Sequence, residues 1–316
     1  MRSGFISSSL RLLAIAGIAA GLTFTVLGWL AHWFPALDVI NNGLPFLVAG
    51  AGLALLLALV TRSWSLIVPA AIIAVINAVL VVAALQGGAA EAAPGSQRFL
   101  RIATFNLWRG NERMDGVAKF LAETDADVVV LQEVTRDHGS KLRQALGSRY
   151  PYGLGETGLV ILSKHPIIAE GRVDRSGYPP WISLMLRWAR LDVNGTTFEF
   201  AGVHLARPFY PELQQQDIAV LTQFVRSRTL PLIVAGDFNM SPWTRKLERF
   251  TDATELKRYN TAHLTWPMRW RGIPLLPLVA IDFASRHFAA ISTEGGPRLG
   301  SDHRPVIADI ALDVAK

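Results

Sequence analysis

The sequence predicts an α/β (α+β) four-layered sandwich, in which two packed β-sheets are flanked by helices, preceded by three N-terminal transmembrane helices. Three observations carry this prediction. The first 86 residues are almost unbroken apolar sequence, a short segment rich in Gly, Ala, Pro and Ser follows, and the rest alternates strand-like runs with helical periodicity. The mean hydropathy of the 316-residue chain is +0.30. This value is high for a soluble enzyme and fits a membrane segment joined to a globular domain.

The N-terminal segment, residues 1–86, holds three long apolar stretches at about residues 12–34, 44–61 and 64–85. Each is near the roughly 20 residues that cross about 30 Å of hydrocarbon. The alternatives are a cleaved signal peptide for the first stretch, or buried core helices for all three. A signal peptide does not account for the second and third stretches, and a core helix would carry polar residues at every turn. Three membrane spans are therefore predicted, with the bilayer as a partner.

The few positive charges of this segment predict its orientation. Arg2 and Arg11 precede the first span and Arg62 lies between the second and third, whereas the loop after the first span has no Lys or Arg. By the positive-inside rule the N-terminus is cytoplasmic. Three crossings then place the rest of the chain outside the cell membrane. The chain has no cysteine, which is compatible with either side.

Residues 87–97 are predicted to form a flexible linker because they lack hydrophobic periodicity. The domain that follows, residues 98–316, contains 28 of the 31 Lys and Arg and 23 of the 25 Asp and Glu, a net charge of +5. It is long enough for a substantial core. Its mild basic excess favours phosphate-bearing or anionic partners without choosing among them.

Within this domain the predicted elements follow in order. Residues 99–107 are predicted to form a strand, and the apolar residues of "DGVAKFLAETDAD" have helical spacing. The apolar run in residues 128–134 predicts a strand that is buried on both faces. The "NG" in "SLMLRWARLDVNGTTFEFAGVHL" predicts a hairpin. Pro211 opens a predicted helix. The remaining strands are predicted in "TGLVILSKHPI", "LPLIVAGDFN", "LVAIDFAS", "FAAISTE" and "PVIADIAL".

Polar residues cluster at the ends of these predicted strands. They are Asn106, Glu133, His204, Asp237 and Asn239 after strands, Asp282 within one, and Asp302 and His303 before the last. Each has an alternative interpretation taken alone, as a turn former, a solvated strand end or a core histidine. Strands that end at one edge of a sheet would instead gather these groups in one cleft. The number of such residues favours an active site.

The motifs "TFNLW", "LQEV", "GLVILSKHPI", "GVHL", "GDFN", "IDF" and "SDHRP" occur in this order. The ordered set resembles that of the DNase I-like endonuclease/exonuclease/phosphatase superfamily and covers residues 101–312. The combination with apolar N-terminal helices is similar to membrane-anchored bacterial members. The resemblance implies a DNase I-like fold and a metal-dependent phosphoric ester hydrolase.

The resemblance also implies roles for the clustered residues. Glu133 would be the principal ligand of Mg²⁺, with Asn106 and Asp302 close by; Mn²⁺ can substitute, and one or two ions are expected. Asp237 would activate the attacking water and Asn239 would donate an amide N–H to a phosphate oxygen. His303 would act at the scissile phosphate, oriented by Asp282. His204 would stabilise phosphoryl oxygens or protonate the leaving group.

The motifs indicate the class of reaction but do not identify the substrate. Candidate substrate-binding residues are Arg207, Tyr210, Trp266 and Arg304. A membrane anchor with a short linker brings lipid head groups within reach, so the leading hypothesis is cleavage of a phosphodiester or pyrophosphate in a lipid or lipid-linked envelope substrate. The alternative is an extracytoplasmic endonuclease or exonuclease acting on DNA or RNA. No obligate protein partner is inferred.

Several basic and aromatic residues could bind nucleic acid, as the nuclease alternative requires. Those that could line a nucleic-acid groove are Trp108, Arg109, Arg245, Lys246 and Arg249. A third hypothesis, a non-catalytic binding module, would be indicated by loss of Glu133, Asp237 or His303. All three are present.

Overall fold

The computed structural model describes residues 2–86, 91–174, 184–259, 264–266, 269–270, 273–274, 279–280 and 282–312. Its helices are α1 (Arg2–Leu30), α2 (Asp38–Asn41), α3 (Leu44–Val60), α4 (Trp64–Gln86), α5 (Met114–Thr124), α6 (Arg136–Leu146), α7 (Pro211–Arg226) and α8 (Arg245–Thr254). The chain divides into two compact units: Met1–Gly87 together with Ser241–Glu248, and Gly88–Met240 together with Arg249–Lys316.

The first unit contains the apolar helices. Two stretches, Ile6–Leu30 and Trp64–Leu85, are long and apolar enough to cross a membrane. A third crossing is counted only if α3 is taken together with the preceding segment Pro35–Asn41, from which it is bent by 57°. The first and last predicted spans thus correspond to helices that could cross a membrane, although the first helix ends at Leu30 and not at residue 34. The second predicted span corresponds to α3, which has 17 residues.

Small and polar residues join the helices of this unit. A Cβ added at Gly17 would lie 3.0 Å from the Cβ of Ala54, so the two helices approach closely there. Asn77 is fully buried and its Nδ2 donates to Thr25 Oγ1 at 2.9 Å. Large apolar side chains point outward instead, including Leu12, which is 66 % exposed. Outward-facing apolar side chains and an interior of small and polar residues are the arrangement expected of helices in a bilayer.

The first unit also includes Ser241–Glu248, a segment that is hydrogen bonded to Asp38 and Asn42. The Asp38 carboxylate accepts hydrogen bonds from the backbone N–H groups of Arg245, at 3.0 Å, and Lys246, at 2.9 Å. These are the first residues of α8, whose N–H groups have no partner within the helix. Asn42 Oδ1 accepts a further bond from Ser241 N at 3.1 Å. A carboxylate at a helix N-terminus is favourable because of the helix dipole.

The second unit contains the sheets. Its strands are β1 (Leu100–Asn106), β2 (Val128–Val134), β3 (Tyr152–Leu154), β4 (Gly158–Ser163), β5 (Ile167–Asp174), β6 (Met185–Val193), β7 (Thr196–His204), β8 (Leu232–Asp237), β9 (Lys257–Arg258), β10 (Leu264–Trp266), β11 (Arg269–Trp270), β12 (Ile273–Pro274), β13 (Val279–Ala280), β14 (Asp282–Arg286), β15 (Phe288–Gly295) and β16 (Val306–Leu312). One six-stranded sheet has the order β15-β16-β1-β2-β4-β3, and the other β5-β6-β7-β8-β14-β9. Two short pairs, β10-β13 and β11-β12, stand apart.

The two sheets share a core. Ile102 and Val130 of the first sheet cluster with Phe200 and Ile233 of the second. On its other face the first sheet packs against α5 and α6, and Phe105 belongs to that second cluster. Strand β1 therefore buries both faces, and all of its residues except Arg101 are buried, including the polar Thr104 and Asn106. The prediction of two packed sheets flanked by helices is confirmed.

Strand register brings the functional residue types to one edge. In the first sheet β1 and β2 run parallel, so Asn106, paired with Gln132, lies at the same end as Glu133. In the second sheet β7 and β8 run parallel and His204 pairs with Asp237. Strand β14 runs antiparallel to β8 and begins at Asp282, opposite Gly236.

Two local predictions have clear outcomes. Strands β6 and β7 are joined by Asn194 and Gly195 with φ of 52° and 81°, the two-residue hairpin predicted from "NG". Helix α7 begins at Pro211, also as predicted.

In the predicted linker, residues 87–90 lie outside the described residues. Ala92 N donates to Ala290 O at 2.8 Å, so the described part of the linker is tied to β15.

Candidate active site

Asp237, at the end of β8, is the centre of the polar cluster. It is 1 % exposed, and its Oδ2 accepts a hydrogen bond from Asn106 Nδ2 at 2.8 Å. The same oxygen lies 3.7 Å from His303 Nε2 and 3.9 Å from His204 Nε2. The two sheets therefore deliver one amide and two imidazoles to a single buried carboxylate.

The electrostatic balance at Asp237 favours its ionised form. Burial acts to raise the pKa of this carboxyl, but the neighbouring His303 and His204 and the hydrogen bonds from Asn106 and the Asn239 backbone outweigh it. The net result is a pKa below the ordinary value. Asp237 is therefore an ionised carboxylate at neutral pH.

Asn239 lies in the turn directly after Asp237. Its backbone N–H donates to Asp237 Oδ1 at 2.9 Å, and its φ is 51°, a left-handed conformation that asparagine tolerates well. Its Nδ2 donates to Leu205 O at 2.8 Å. That nitrogen carries a second hydrogen, which can be donated to a substrate.

Glu133 stands beside this cluster at the end of β2. Its Oε1 is 3.4 Å from Asn106 Nδ2 and 3.6 Å from Arg207 Nη2, and its Oε2 accepts from Arg109 N at 3.3 Å. Its φ of 56° is left-handed. For a non-glycine residue this conformation is unfavourable, and such strain is concentrated at functional sites.

The donor set around Glu133 fits a hard divalent cation. Mg²⁺ prefers oxygen ligands and keeps several waters, so one or two carboxylates suffice. Glu133 supplies a carboxylate with only 12 % of its side chain exposed, whereas Asn106 turns its Nδ2, which cannot ligate a cation, toward Glu133 and its Oδ1 toward Trp108 N. Among the described residues no group of three or more His, Cys, Asp and Glu side chains could enclose an ion. An open site built on Glu133, completed by water and substrate oxygens, agrees with both observations.

The loop before β16 carries Ser301, Asp302 and His303. Ser301 is buried; its Oγ donates to Asn106 O at 2.7 Å and accepts from His303 N at 3.0 Å. Asp302 Oδ2 accepts from the indole Nε1 of Trp266 at 3.0 Å. Ser301, which was not singled out in the sequence, therefore fixes this loop to the end of β1.

His303 is buried, and its Nδ1 has no hydrogen-bond partner among the described residues. Asp282, predicted to orient this imidazole, has a described backbone at the start of β14, while its side chain lies outside the described residues. The pairing of Asp282 with His303 therefore stays a prediction.

The predicted substrate-binding residues have different surroundings. Arg207 is 62 % exposed and reaches Glu133, and Tyr210 is half exposed just before α7. Trp266 stacks at a tilt on His303 with ring centroids 6.2 Å apart. Arg304 donates from Nε to Gly296 O at 2.7 Å, so its guanidinium is already engaged by the chain.

A cavity of about 220 Å³ adjoins the loop before β16. It is lined by Asn111, Glu112, Arg113, Arg298, Gly300 and Ser301. Asn111 Nδ2 donates to Leu299 O at 3.0 Å and so joins its two walls. Through Ser301 the cavity extends the polar site toward two basic side chains.

Two residues that the sequence did not single out support the site from α7. Gln214 and Asp217 are buried and hydrogen bond to the loop after β7. The signal in the sequence is weak, since Gln214 is one of three consecutive glutamines.

Comparison with solved structures supports this fold. A Bacteroides vulgatus endonuclease/exonuclease/phosphatase is similar at 23 % identity and a TM-score of 0.56, covering 67 % of this chain and 98 % of its own. Streptomyces griseocarneus sphingomyelinase C is similar at 19 %, with a TM-score of 0.51 and coverage of 66 % and 98 %. D. rerio TDP2 complexed with a single-strand DNA product is similar at 15 %, with a TM-score of 0.58 and coverage of 67 % and 99 %. Comparison with the curated proteins gave no match.

The sequence model of the Endonuclease/Exonuclease/phosphatase family matches residues 103–303. The match begins within β1, just before Asn106, and ends at His303, so it includes every residue of the buried cluster described above. Members of this family are metal-dependent phosphoesterases. The chain belongs to the Endonuclease/Exonuclease/phosphatase family and is a hydrolase of phosphoric esters.

Proposed function

We propose that this protein is a membrane-anchored, Mg²⁺-dependent phosphohydrolase that cleaves a phosphodiester or pyrophosphate bond in a lipid or lipid-linked envelope substrate. The observation that carries the proposal is the presence, in one chain, of the buried cluster around Asp237 and of apolar helices able to cross a membrane. A hydrolase attached to a bilayer meets lipid phosphates at high local concentration.

The residues divide the chemistry between them. Asp237 accepts a proton from the attacking water as its oxygen bonds to phosphorus. Asn239 donates its free amide hydrogen to a nonbridging oxygen and holds the phosphate in line. The bond to the leaving oxygen breaks, and that oxygen takes a proton from His204 or His303. Asp282 is proposed as the partner that orients His303.

A bound Mg²⁺ would neutralise charge on the phosphate oxygens and on the leaving group. Glu133 would hold it, with Asn106 and Asp302 in support; Mn²⁺ can replace it, and one or two ions fit the proposal. Arg207 would move from Glu133 to the phosphate when substrate arrives. Tyr210, Trp266 and Arg304 would shape the substrate entrance.

We also propose that α1, α3 and α4 all cross the membrane, with the N-terminus cytoplasmic and the catalytic domain extracytoplasmic. Asp38 bonds to residues of Ser241–Glu248, which supports a common side for α2 and that segment. Between them the chain passes through α3 and α4, so an even number of crossings must separate them. Since α4 is long enough to cross, this contact supports a crossing by α3 as well.

The absence of native cysteine gives a direct test of this topology. Single cysteines at Ala36, Ser65 and Asp252 report on the loop before α2, the start of α4 and the catalytic domain. With a membrane-impermeant maleimide added to intact spheroplasts, we expect labelling of Ala36→Cys and Asp252→Cys but not Ser65→Cys. Labelling of only one of the two variants Ala36→Cys and Asp252→Cys would contradict the third crossing. Labelling of only Ser65→Cys would reverse the orientation.

The substrate proposal is tested with the purified full-length protein and Mg²⁺. Phosphate or phosphomonoester release is compared for undecaprenyl pyrophosphate and phospholipids in micelles and for single-stranded and duplex DNA. We expect turnover of a lipid, its loss in the presence of EDTA, and its loss in His303→Ala. Cleavage of DNA with all lipids inert would contradict the proposal and favour a nuclease.

The nuclease alternative has one specific observation in its favour. Trp108 is 43 % exposed and has a left-handed φ of 58°, and its neighbour Arg109 contacts Glu133 through its backbone. An exposed indole next to a basic side chain can stack on a base. TDP2, similar in fold, has been solved with single-strand DNA. The DNA arms of the assay above measure this alternative directly.

A further inference from the structure

The loop that follows His204 at the end of β7 and the loop that follows Asp237 at the end of β8, which carries Asn239, are joined to each other by hydrogen bonds. Leu205 N donates to Asp237 O at 2.9 Å. In the opposite direction Asn239 Nδ2 donates to Leu205 O at 2.8 Å. The positions of these groups therefore depend on one shared backbone arrangement.

Gln214 of α7 bridges the same two loops. Its Nε2 donates to Ala206 O at 2.9 Å and to Asn239 O at 2.9 Å. A carboxamide nitrogen has two hydrogens, so one side chain supplies both bonds. The residue is 1 % exposed, although glutamine is mostly a surface residue.

Asp217, one turn further along α7, adds a third bond. Its Oδ2 accepts from Ala206 N at 2.9 Å, so the N–H and the C=O of Ala206 are both held by this helix. Residues three apart lie on one face of a helix, which explains how Gln214 and Asp217 reach the same loop. Their neighbour Gln215, in contrast, is exposed.

The bond to Asn239 O acts on a backbone in the left-handed conformation. Asn239 has a φ of 51°, and rotation of its backbone would redirect both its amide and the N–H that donates to Asp237. A donor fixed on a helix holds the carbonyl of that residue and so resists the rotation. The bond to Ala206 O holds the loop that directly follows His204 in the same way.

From these contacts we infer that Gln214 is a positioning residue, which aligns the loop of His204 with the loop of Asp237 and Asn239 by donating to one carbonyl of each. The expected effect of Gln214 on catalysis rests on the proposed phosphohydrolase function. Its expected effect on the stability of the two loops is independent of that function, and the two effects can be measured separately.

The test compares Gln214→Met with Gln215→Met in the full-length protein. Methionine keeps the length and flexibility of glutamine and removes both donors, and the second variant makes the same change on the exposed side of the helix. Hydrolysis of bis(4-nitrophenyl) phosphate with Mg²⁺ gives kcat and KM. Hydrogen–deuterium exchange of peptides covering residues 203–209 and 236–240 gives the stability of the loops.

We expect Gln214→Met to lower kcat on the order of 10- to 100-fold with KM changed less than about threefold, since small misplacements of aligned groups are costly in rate. Exchange should be faster in both peptides. Gln215→Met should match the wild type in both measurements. If Gln214→Met does not fold, Gln214→Glu removes the donors with the shape conserved and replaces it in the test.

The remaining outcomes are distinct. Unchanged kcat or unchanged exchange in the Gln214 variant overturns the inference, as does an equal loss in the Gln215 variant. A wild type inert on this ester and on the lipid and DNA substrates overturns the proposed function. If Gln214→Met still speeds exchange in both loops while Gln215→Met does not, the alignment by Gln214 stands on its own.

Discussion

Replacement of Asp237 by asparagine is expected to lower kcat for phosphate ester hydrolysis by about 10³-fold, because a carboxamide cannot accept the proton of the attacking water. Asparagine has nearly the same shape, but it keeps only one of the two accepted hydrogen bonds. If its oxygen accepts from Asn106 Nδ2, its amide nitrogen faces the backbone N–H of Asn239, which now donates to Asp237 Oδ1 at 2.9 Å, so thermal unfolding must be measured beside activity. The lowered pKa of Asp237 means that the wild type has an ionised carboxylate at neutral pH, which the variant lacks.

The measurement is steady-state hydrolysis of the best substrate found for the wild type, alongside thermal unfolding in the same detergent. Asp252→Asn is the matched control, because it makes the same change at an exposed position of α8. The control should keep full activity. Substantial activity in Asp237→Asn with unaltered unfolding would exclude Asp237 as the base and shift that role to a histidine of the cluster.

Much of the fold follows from local sequence. A continuous apolar run predicted β2, which buries both faces, and the "NG" turn predicted the pairing of β6 with β7. Helix α6 was not predicted. Its sequence, "RDHGSKLRQAL", has few apolar residues and contains a glycine. Its start is set instead by Thr135, whose side chain accepts from His138 N in a capping box.

The candidate site was predictable because strand ends collect at one edge of a sheet. Asn106, Glu133, His204, Asp237 and His303 are far apart in sequence, and the structure brings them together. Sequence position alone predicts that they meet but not their hydrogen bonds. The left-handed φ of Glu133 could not be predicted, since nothing local requires it.

The supporting residues were the least predictable. In "QQQ" each glutamine looks alike, and only the rotation of α7 against the loops decides that Gln214 is buried while Gln215 is exposed. Asp38 likewise looks like an ordinary loop charge. Its role at the start of α8 depends on a partner some 200 residues away, which no local pattern encodes.

The second large effect is expected at Glu133, whose replacement by glutamine should reduce Mg²⁺ affinity and activity together. The carboxamide keeps the size of the side chain but removes the negative charge that a hard cation requires. Hydrolysis should fall by at least about 10²-fold at saturating Mg²⁺, since the ion supplies charge stabilisation in the transition state. Calorimetric titration with Mg²⁺ measures affinity, and Glu123→Gln, exposed on α5, is the control. Full activity with normal affinity would remove Glu133 from the site.

Backbone strain at Glu133 allows function and stability to be separated. A left-handed conformation costs a non-glycine residue on the order of 1 kcal/mol, and glycine avoids this cost. Glu133→Gly should therefore unfold at a higher temperature than Glu133→Ala, although both should be inactive. If the two variants are equally stable, the left-handed backbone at this position is not strained. If glycine is the more stable, glutamate at this position carries a cost in stability, which agrees with the proposal that Glu133 holds the metal.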